Sequence, residues 1–163
     1  MPVKTIIARH EGGMRFLARS GSNHGLLMDD GKSDKGMRPT EALLAGLVAC
    51  TAMDIVSIMA KKRQAYDSYL VRATGQQRDE YPQIYTRIDL VHEVAGPGVQ
   101  VAQVKRCIEL SATRYCPVSA MLSAGDTEIH HRYHVRVTGS APYEEEGEVL
   151  VTGPYQRPDI LVS

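Results

Sequence analysis

Two of the three cysteines in this 163-residue chain stand where thiol chemistry could occur. Cys50 lies inside a long apolar run, residues 42–60, and Cys116 directly precedes Pro117. Because proline favours the first position of a helix, Cys116 is predicted to be the residue that caps the helix start. The free backbone amides there favour a thiolate, which would make Cys116 reactive. The alternative is that Cys116 only caps the helix as a small buried residue.

Cys50 has different neighbours, because it is predicted in the middle of a helix. At about 100° per residue, Gly46 and Asp54 lie on the same helix face as Cys50. Gly46 leaves room beside the sulfur, whereas an ionised Asp54 would raise the pKa of the thiol. A cation from elsewhere in the fold would then be needed to favour the Cys50 thiolate. Without it, Cys50 is a core cysteine.

The remaining candidates for chemistry are weaker. Cys107 is predicted to be structural. His130 and His134 share one face of a predicted strand while His131 points away, so we expect a polar strand face and no zinc site. No P-loop, dinucleotide fingerprint, zinc-protease motif or hydrolase elbow occurs in the sequence.

Charge and cysteine content narrow the function classes. Nineteen basic residues balance nineteen acidic ones, so the charge composition does not indicate nucleic acid or an anionic membrane as a partner. A net charge near zero fits a chain that buries surface in an oligomer. Three cysteines make no disulfide scaffold, and the start of the chain has no apolar stretch typical of a signal peptide. We therefore expect a protein of the reducing cytoplasm.

The apolar run that contains Cys50 predicts one long helix. Pro39 suits its first turn, residues 41–60 are mostly strong helix formers, and the basic residues 61–63 suit its end. The run is also long enough to span a membrane. Asp54 near its middle and Glu41 at its start argue against that alternative. We expect a buried central helix, which a second subunit helps to cover.

The rest of the chain predicts an α+β fold. Strands are expected within residues 3–19, 69–74, 84–94 and 127–139, and helices at 101–113 and from Cys116. Residues 21–36 are predicted to be loop, and this element order is not an alternating βαβ pattern.

We expect a single domain over residues 1–163, with a core of about 1–138 and a C-terminal extension at 139–163. Within that extension, the acidic run at 144–146 is predicted to be a solvated loop. Residues 148–153 are predicted to be one more strand.

Two segments resemble the OsmC/Ohr family of osmotically inducible and organic hydroperoxide resistance proteins. They are GMRPTEALLAGLVACTAMDIVSIMAKKR at 36–63 and RYCPVSAML at 114–122. The family pairs a P-x-E-L-L…A-C helix with a later C-P-V-S, and the similarity covers about residues 36–137. The sequence is most similar to the YhfA-like branch, which also carries C-T-x-x-D and a basic helix end.

The resemblance implies an OsmC-like α+β fold with curved antiparallel sheets around two central helices in an intertwined homodimer. It also implies reduction of organic hydroperoxides. Cys50 would attack the peroxide and become a sulfenic acid, and Cys116 would then form a disulfide with it. An external dithiol, of the lipoyl type in one branch, would reduce that disulfide. No cofactor and no metal are expected.

The sequence departs from the peroxidase branches at two positions. Thr40 stands where they carry a glutamate, and Asp30 stands where they carry an arginine. Glu41 lies about 180° from Cys50 around the helix, so it could serve only a cysteine of the partner subunit. The arginines that could replace the missing one are Arg38, our first candidate, and Arg15 and Arg19. The alternative function is a dimeric redox-sensing or ligand-binding protein without turnover.

Overall fold

The computed structural model describes residues 2–151. The chain divides into two compact units, Met1–Ala45 and Gly46–Ser163. The predicted single domain over 1–163, with its boundary near residue 138, stays a prediction. Residues 152–163 of the predicted extension lie outside the described part of the chain.

The first unit holds a three-stranded antiparallel sheet, made of β1 (Ile6–His10), β2 (Phe16–Ser20) and β3 (Gly25–Met28). Strands β1 and β2 were predicted, and the turn between them uses two glycines with positive φ. The prediction of loop throughout 21–36 was wrong for β3. Strand β3 has only four residues, too few for a clear alternation of apolar and polar side chains. It forms because it pairs with β2, and the sequence of β3 alone does not show that pairing.

The first helix, α1 (Pro39–Lys61), begins and ends as the sequence predicted. At its start the Glu41 carboxylate accepts a hydrogen bond from the backbone N–H of Arg38 at 2.9 Å, the reach-back contact of a helix cap. The Arg38 guanidinium pairs with Asp34 at 2.9 Å. Glu41 therefore has a structural role at the helix start.

Most of the α1 surface is exposed in the single chain. The helix is long and apolar enough to span a membrane, with a mean hydropathy of 2.0. However, Ile55, Ile58 and Met59 pack into the hydrophobic core of the second unit, which favours a core helix. Other apolar side chains of α1 stay exposed, including Met53 at 72% and Val56 at 39%.

The second unit holds a four-stranded sheet in the order β4 (Ser68–Gln77), β5 (Tyr85–Gly96), β6 (Glu128–Val137) and β7 (Tyr143–Val149). The α+β fold class is as predicted. Among the described strands the pairing is antiparallel, as the resemblance implied, except that β5 and β6 run parallel. Parallel neighbours need a long crossover, and the helices between these two strands supply it.

That crossover consists of α2 (Val101–Leu110), a π-helical turn (Ser111–Tyr115) and α3 (Pro117–Leu122). The sequence predicted α2 and α3 but continued α2 to about residue 113. Cys107 of α2 is fully buried in the hydrophobic core, where it meets residues from α1 and the sheet. The structural role predicted for Cys107 fits this burial.

Strand β7 contains the acidic run that was predicted to be a solvated loop, so that prediction was wrong. Glu145 accepts a hydrogen bond from the Tyr133 hydroxyl at 2.8 Å, and Glu144 pairs with His134 across the strands. Partners of this kind stabilise an acidic strand, and they lie on β6 rather than nearby in sequence. The strand predicted at 148–153 begins five residues earlier, at Tyr143.

Candidate thiol site

Cys116 caps the start of α3, as its position before Pro117 predicted. Its sulfur accepts a hydrogen bond from the backbone N–H of Ser119 at 3.3 Å. Its own N–H donates to the carbonyl of Ser111 at 2.9 Å, which closes the π-helical turn. Cys116 is only 2% exposed, so the turn and the cap together fix the direction of a buried sulfur.

The fold brings Cys116 to the face of α1 that carries Cys50 and Asp54. The two sulfurs and a carboxylate oxygen of Asp54 all lie within 4.8 Å of one another, and we call these three residues the thiol cluster. Both thiols are free, and Cys50 is partly exposed. Helical spacing predicted that Cys50 and Asp54 share a face. It could not predict that Cys116, sixty-six residues later (116 − 50), meets them there.

Two hydroxyl residues that the sequence analysis missed hold the cluster in place. The Thr51 hydroxyl donates to the Cys116 sulfur at 3.5 Å. The Ser111 hydroxyl donates to the Asp54 carboxylate at 3.0 Å. The position of Thr51 directly after Cys50 is a local signal, but no sequence pattern points to Ser111. Its position depends on the π-helical turn, an irregularity that is frequent at functional sites.

Burial raises the pKa of the Cys50 thiol to about 11. The hydrogen bond with Cys116 and the negative charges of Cys116 and Asp54 raise this pKa further, while the backbone N–H of Val118 lowers it. The predicted effect of Asp54 on Cys50 is therefore confirmed. In this arrangement Cys50 is protonated at neutral pH.

Asp54 is itself affected by its surroundings. Burial raises the pKa of its carboxyl group, and the hydrogen bond from Ser111 opposes that shift. Within residues 2–151, Asp54 forms no ion pair. The thiol cluster thus gathers three groups that become negative on ionisation, and no cation of the described residues pairs with its carboxylate.

Arg38, the predicted activating residue, lies in the first unit. Its guanidinium is 2.9 Å from Asp34 and 3.8 Å from Glu41. The alternatives also have local partners in that unit, namely the Glu11 carbonyl for Arg15 and the Asn23 side chain for Arg19. Activation of Cys50 by Arg38 remains a prediction.

The three histidines of β6 separate as their alternation predicted. His130 and His134 bond to Glu148 and Glu144 on the neighbouring strand β7. His131 is 2% exposed and points to the opposite face.

On that buried face, the His131 ring stacks on His92 at 5.9 Å between centroids, and His92 stacks on Tyr69 at 6.2 Å. The Tyr69 hydroxyl lies 3.0 Å from His92 Nδ1. We call Tyr69, His92 and His131 the histidine stack. Burial lowers the pKa of His92 to about 3, with a smaller contribution from His131. Burial also lowers the pKa of His131 to about 4, with a smaller contribution from His130. Both imidazoles are therefore neutral at pH 7.

Comparison with known proteins agrees with this fold. The OsmC-like protein family model matches residues 31–132, which include Cys50, Asp54 and Cys116. This chain belongs to the OsmC-like protein family.

Its relatives include bacterial proteins of known sequence and structure. Protein YhfA of Escherichia coli K12 is 39% identical over 123 residues, which cover 76% of this chain and 91% of that protein. A crystal structure from Aquifex aeolicus VF5 is 25% identical with a TM-score of 0.76, covering 85% of this chain and all of that one. The organic hydroperoxide resistance protein OsmC from Legionella pneumophila is 14% identical with a TM-score of 0.60, over 80% and 96% of the two chains. The last similarity shows the fold alone.

Proposed function

We propose that this protein is a thiol-dependent peroxidase that reduces organic hydroperoxides, with Cys50 as the attacking thiol and Cys116 as the resolving thiol. The observation that carries the proposal is the approach of the two free sulfurs to within 4.8 Å, one partly exposed and the other buried. Membership of the OsmC-like family supports it, since that fold also occurs in a hydroperoxide resistance protein. An alkyl or lipid hydroperoxide suits the apolar residues around Cys50.

The reaction has three steps that balance in atoms and electrons. The Cys50 thiolate attacks the terminal peroxide oxygen, the O–O bond breaks, and the alkoxide takes up a proton to leave as an alcohol. The Cys116 sulfur then attacks the Cys50 sulfenic acid, and a disulfide forms as water leaves. An external dithiol, of the lipoyl type, reduces this disulfide by exchange and is oxidised to its own disulfide.

The residues around Cys116 support its role as the resolving thiol. Hydrogen bonds from Thr51 and from the Ser119 amide orient its sulfur beside Cys50. Burial keeps Cys116 away from the bulk oxidant, so Cys50 meets the peroxide first.

Activation of Cys50 needs a cation, because its pKa of about 11 leaves little thiolate at neutral pH. Arg38 is our candidate for that cation, supplied by the partner subunit, because Arg38 lies about 18 Å along α1 from Cys50 of its own chain. A cation close to the sulfur would favour the thiolate directly.

The proposal includes a homodimer in the cytoplasm. Exposed apolar side chains on α1, such as Met53 and Val56, give a second copy a surface to cover. A reducing compartment suits a chain with three free thiols. Size-exclusion chromatography with light scattering should give twice the mass of one chain, and a monomer would contradict the dimer.

The decisive experiment follows the consumption of cumene hydroperoxide with dihydrolipoamide as reductant. The wild-type protein should consume peroxide, and Cys50→Ser should fall to the rate without protein. Cys116→Ser should stop turnover after one equivalent, because the sulfenic acid cannot form the disulfide. Cys107→Ala is the matched control and should keep the wild-type rate. Consumption that is unaffected by both active-site substitutions would contradict a peroxidase.

A redox sensor is the second candidate, because a Cys50 thiol with a raised pKa would react slowly, which suits a single oxidation better than rapid turnover. A sensor would form the Cys50–Cys116 disulfide with hydroperoxide but would not turn over with the dithiol. Mass spectrometry of the peroxide-treated protein, with and without dihydrolipoamide, distinguishes the two functions.

A further inference from the structure

The thiol cluster has the composition of a metal site as well as that of a redox site. Two sulfurs and one carboxylate oxygen converge within 4.8 Å from two separate elements, α1 and the cap of α3. Thiolate and carboxylate together are a ligand set that Zn²⁺ accepts.

The spacing of the donors is compatible with one tetrahedral ion. Ligands at the usual Zn–S and Zn–O distances lie about 3.4–3.8 Å apart in a tetrahedron. The three donor atoms already lie within 4.8 Å of one another, so small side-chain rotations would bring them to one ion. Three protein ligands leave a fourth position for water or a small ligand, as in catalytic and exchangeable zinc sites.

The outer contacts of the cluster are those that orient metal ligands. The Ser111 hydroxyl donates to Asp54 Oδ2 at 3.0 Å. The Cys116 sulfur accepts hydrogen bonds from Thr51 at 3.5 Å and from the Ser119 amide at 3.3 Å. Such outer partners fix ligand direction and strengthen metal binding.

The charge of the thiol cluster also favours a bound cation. Within the described residues 2–151, the Asp54 carboxylate has a hydroxyl partner and no ion pair. A divalent cation would balance the negative charge of this carboxylate and of two thiolates. Cys50 is partly exposed, which gives an ion a path to the cluster.

We propose that the reduced protein binds one Zn²⁺ per chain through Cys50, Asp54 and Cys116. The proposal goes beyond the peroxidase function and needs only reduced thiols, not turnover. It replaces the expectation from the sequence that no metal is bound. Because a disulfide between Cys50 and Cys116 uses both sulfur ligands, the oxidised protein loses the site. Bound zinc would in turn protect the two thiols from oxidation.

The test titrates Zn²⁺ into reduced, chelator-treated full-length protein in the presence of a chromophoric zinc chelator. One equivalent per chain should bind. Cys50→Ser and Cys116→Ser should each weaken binding by at least about 100-fold, and Asp54→Asn by at least about tenfold. Cobalt(II) supplies an independent readout, since a thiolate-to-cobalt charge-transfer band should appear with the wild type and decrease in both cysteine variants.

Three controls keep the result interpretable. Cys107→Ala removes a cysteine outside the cluster and should bind zinc within about twofold of wild type. His130→Ala removes a surface histidine held by Glu148, so zinc lost with this variant alone would identify an adventitious surface site and overturn the proposal. Diamide accepts two electrons and two protons from Cys50 and Cys116 as the disulfide forms, and binding should then disappear.

Unchanged zinc affinity in Asp54→Asn and Cys50→Ser, with circular dichroism confirming that both variants are folded, would also overturn the proposal. Peroxide turnover is measured separately on metal-free protein. A failure of the zinc site can therefore be distinguished from a failure of the peroxidase.

Discussion

The thiol cluster and the histidine stack both contain titratable groups of the second unit, but the surroundings of those groups differ. The stack relies on ring packing, whereas the cluster relies on hydrogen bonds. In the stack, His92 and His131 stay neutral, His131 stacks on His92 and His92 stacks on Tyr69. Within residues 2–151, one nitrogen of each imidazole has no hydrogen-bond partner. In the cluster, hydroxyl and amide donors hold Cys116 and Asp54 in place while Cys50 remains partly exposed.

This difference separates stability from reactivity. The neutral, buried rings of the histidine stack stabilise the fold by packing. The protein loses this stabilisation when a ring is removed or protonated. The thiol cluster contributes little packing at Cys50 but concentrates groups that react or bind a cation. Substitutions in the two regions should therefore affect different measurements.

The largest expected effect is on stability, at the centre of the histidine stack. His92→Ala removes a fully buried ring and the hydrogen-bond partner of Tyr69, so the free energy of unfolding should fall by about 3 kcal/mol. Cys50→Ala should change it by less than about 1 kcal/mol, since Cys50 is partly exposed. Urea unfolding measures both values. Equal losses of unfolding free energy in the two variants would contradict this difference between the stack and the cluster.

The second prediction concerns acid. His92 and His131 have folded-state pKa values of about 3 and about 4, below the ordinary value of 6.5. Below pH 6.5 the unfolded chain binds protons that the folded chain does not, so stability falls as pH decreases towards these lower values. By pH 4.5 each histidine should cost about 2.6 kcal/mol of stability.

The variant His131→Phe keeps an aromatic ring and removes one titrating group. Its stability should fall less than that of the wild type between pH 6.5 and pH 4.5, as measured by urea unfolding at each pH. Parallel pH profiles for the two proteins would mean that His131 is not neutral in the folded state.

The third prediction tests whether the cluster receives its cation from Arg38. Arg38→Gln should lower hydroperoxide turnover by about tenfold, which corresponds to about 1.4 kcal/mol. Its ion pairs with Asp34 and Glu41 are exposed, so the free energy of unfolding should change by less than about 1 kcal/mol. Asp34→Asn breaks one of the same pairs and is the control. Turnover that is unchanged in Arg38→Gln would remove Arg38 from the mechanism.

The smallest effect is expected from Asp54→Asn. Removing the carboxylate removes one cause of the raised pKa of Cys50, so the thiolate fraction of Cys50 should increase at pH 8.5. Burial remains the main cause, so iodoacetamide should modify Cys50 only about two to three times faster. Peptide mass spectrometry follows Cys50, with the wild-type protein treated in parallel as the reference. Slower modification of Cys50 would contradict the electrostatic role of Asp54.

Local signals were sufficient for the parts of the site that lie within one element. Pro39 at the start of α1 and Lys61 at its end marked the helix, and Pro117 marked Cys116 as a cap. Helical periodicity placed Asp54 on the face of Cys50. These features depend on backbone hydrogen bonds and rotations within a few residues, which a sequence shows directly.

Features that depend on distant partners were missed or misassigned. Strand β3 exists because it pairs with β2, and β7 exists because the residues of β6 pair with its glutamates. The parallel pairing of β5 and β6 results from the crossover between them. No spacing in the sequence indicates which strands become neighbours.

The sequence by itself determined the family, the long helix and the two cysteines that carry the proposed chemistry. Only the tertiary structure decided that Cys50 and Cys116 meet, that Ser111 holds Asp54 beside them, and that His131 stacks on His92. The physical reason is the range of the interactions. Caps and helix faces are set by neighbouring residues, whereas convergence and burial are set by packing between segments that lie far apart along the chain.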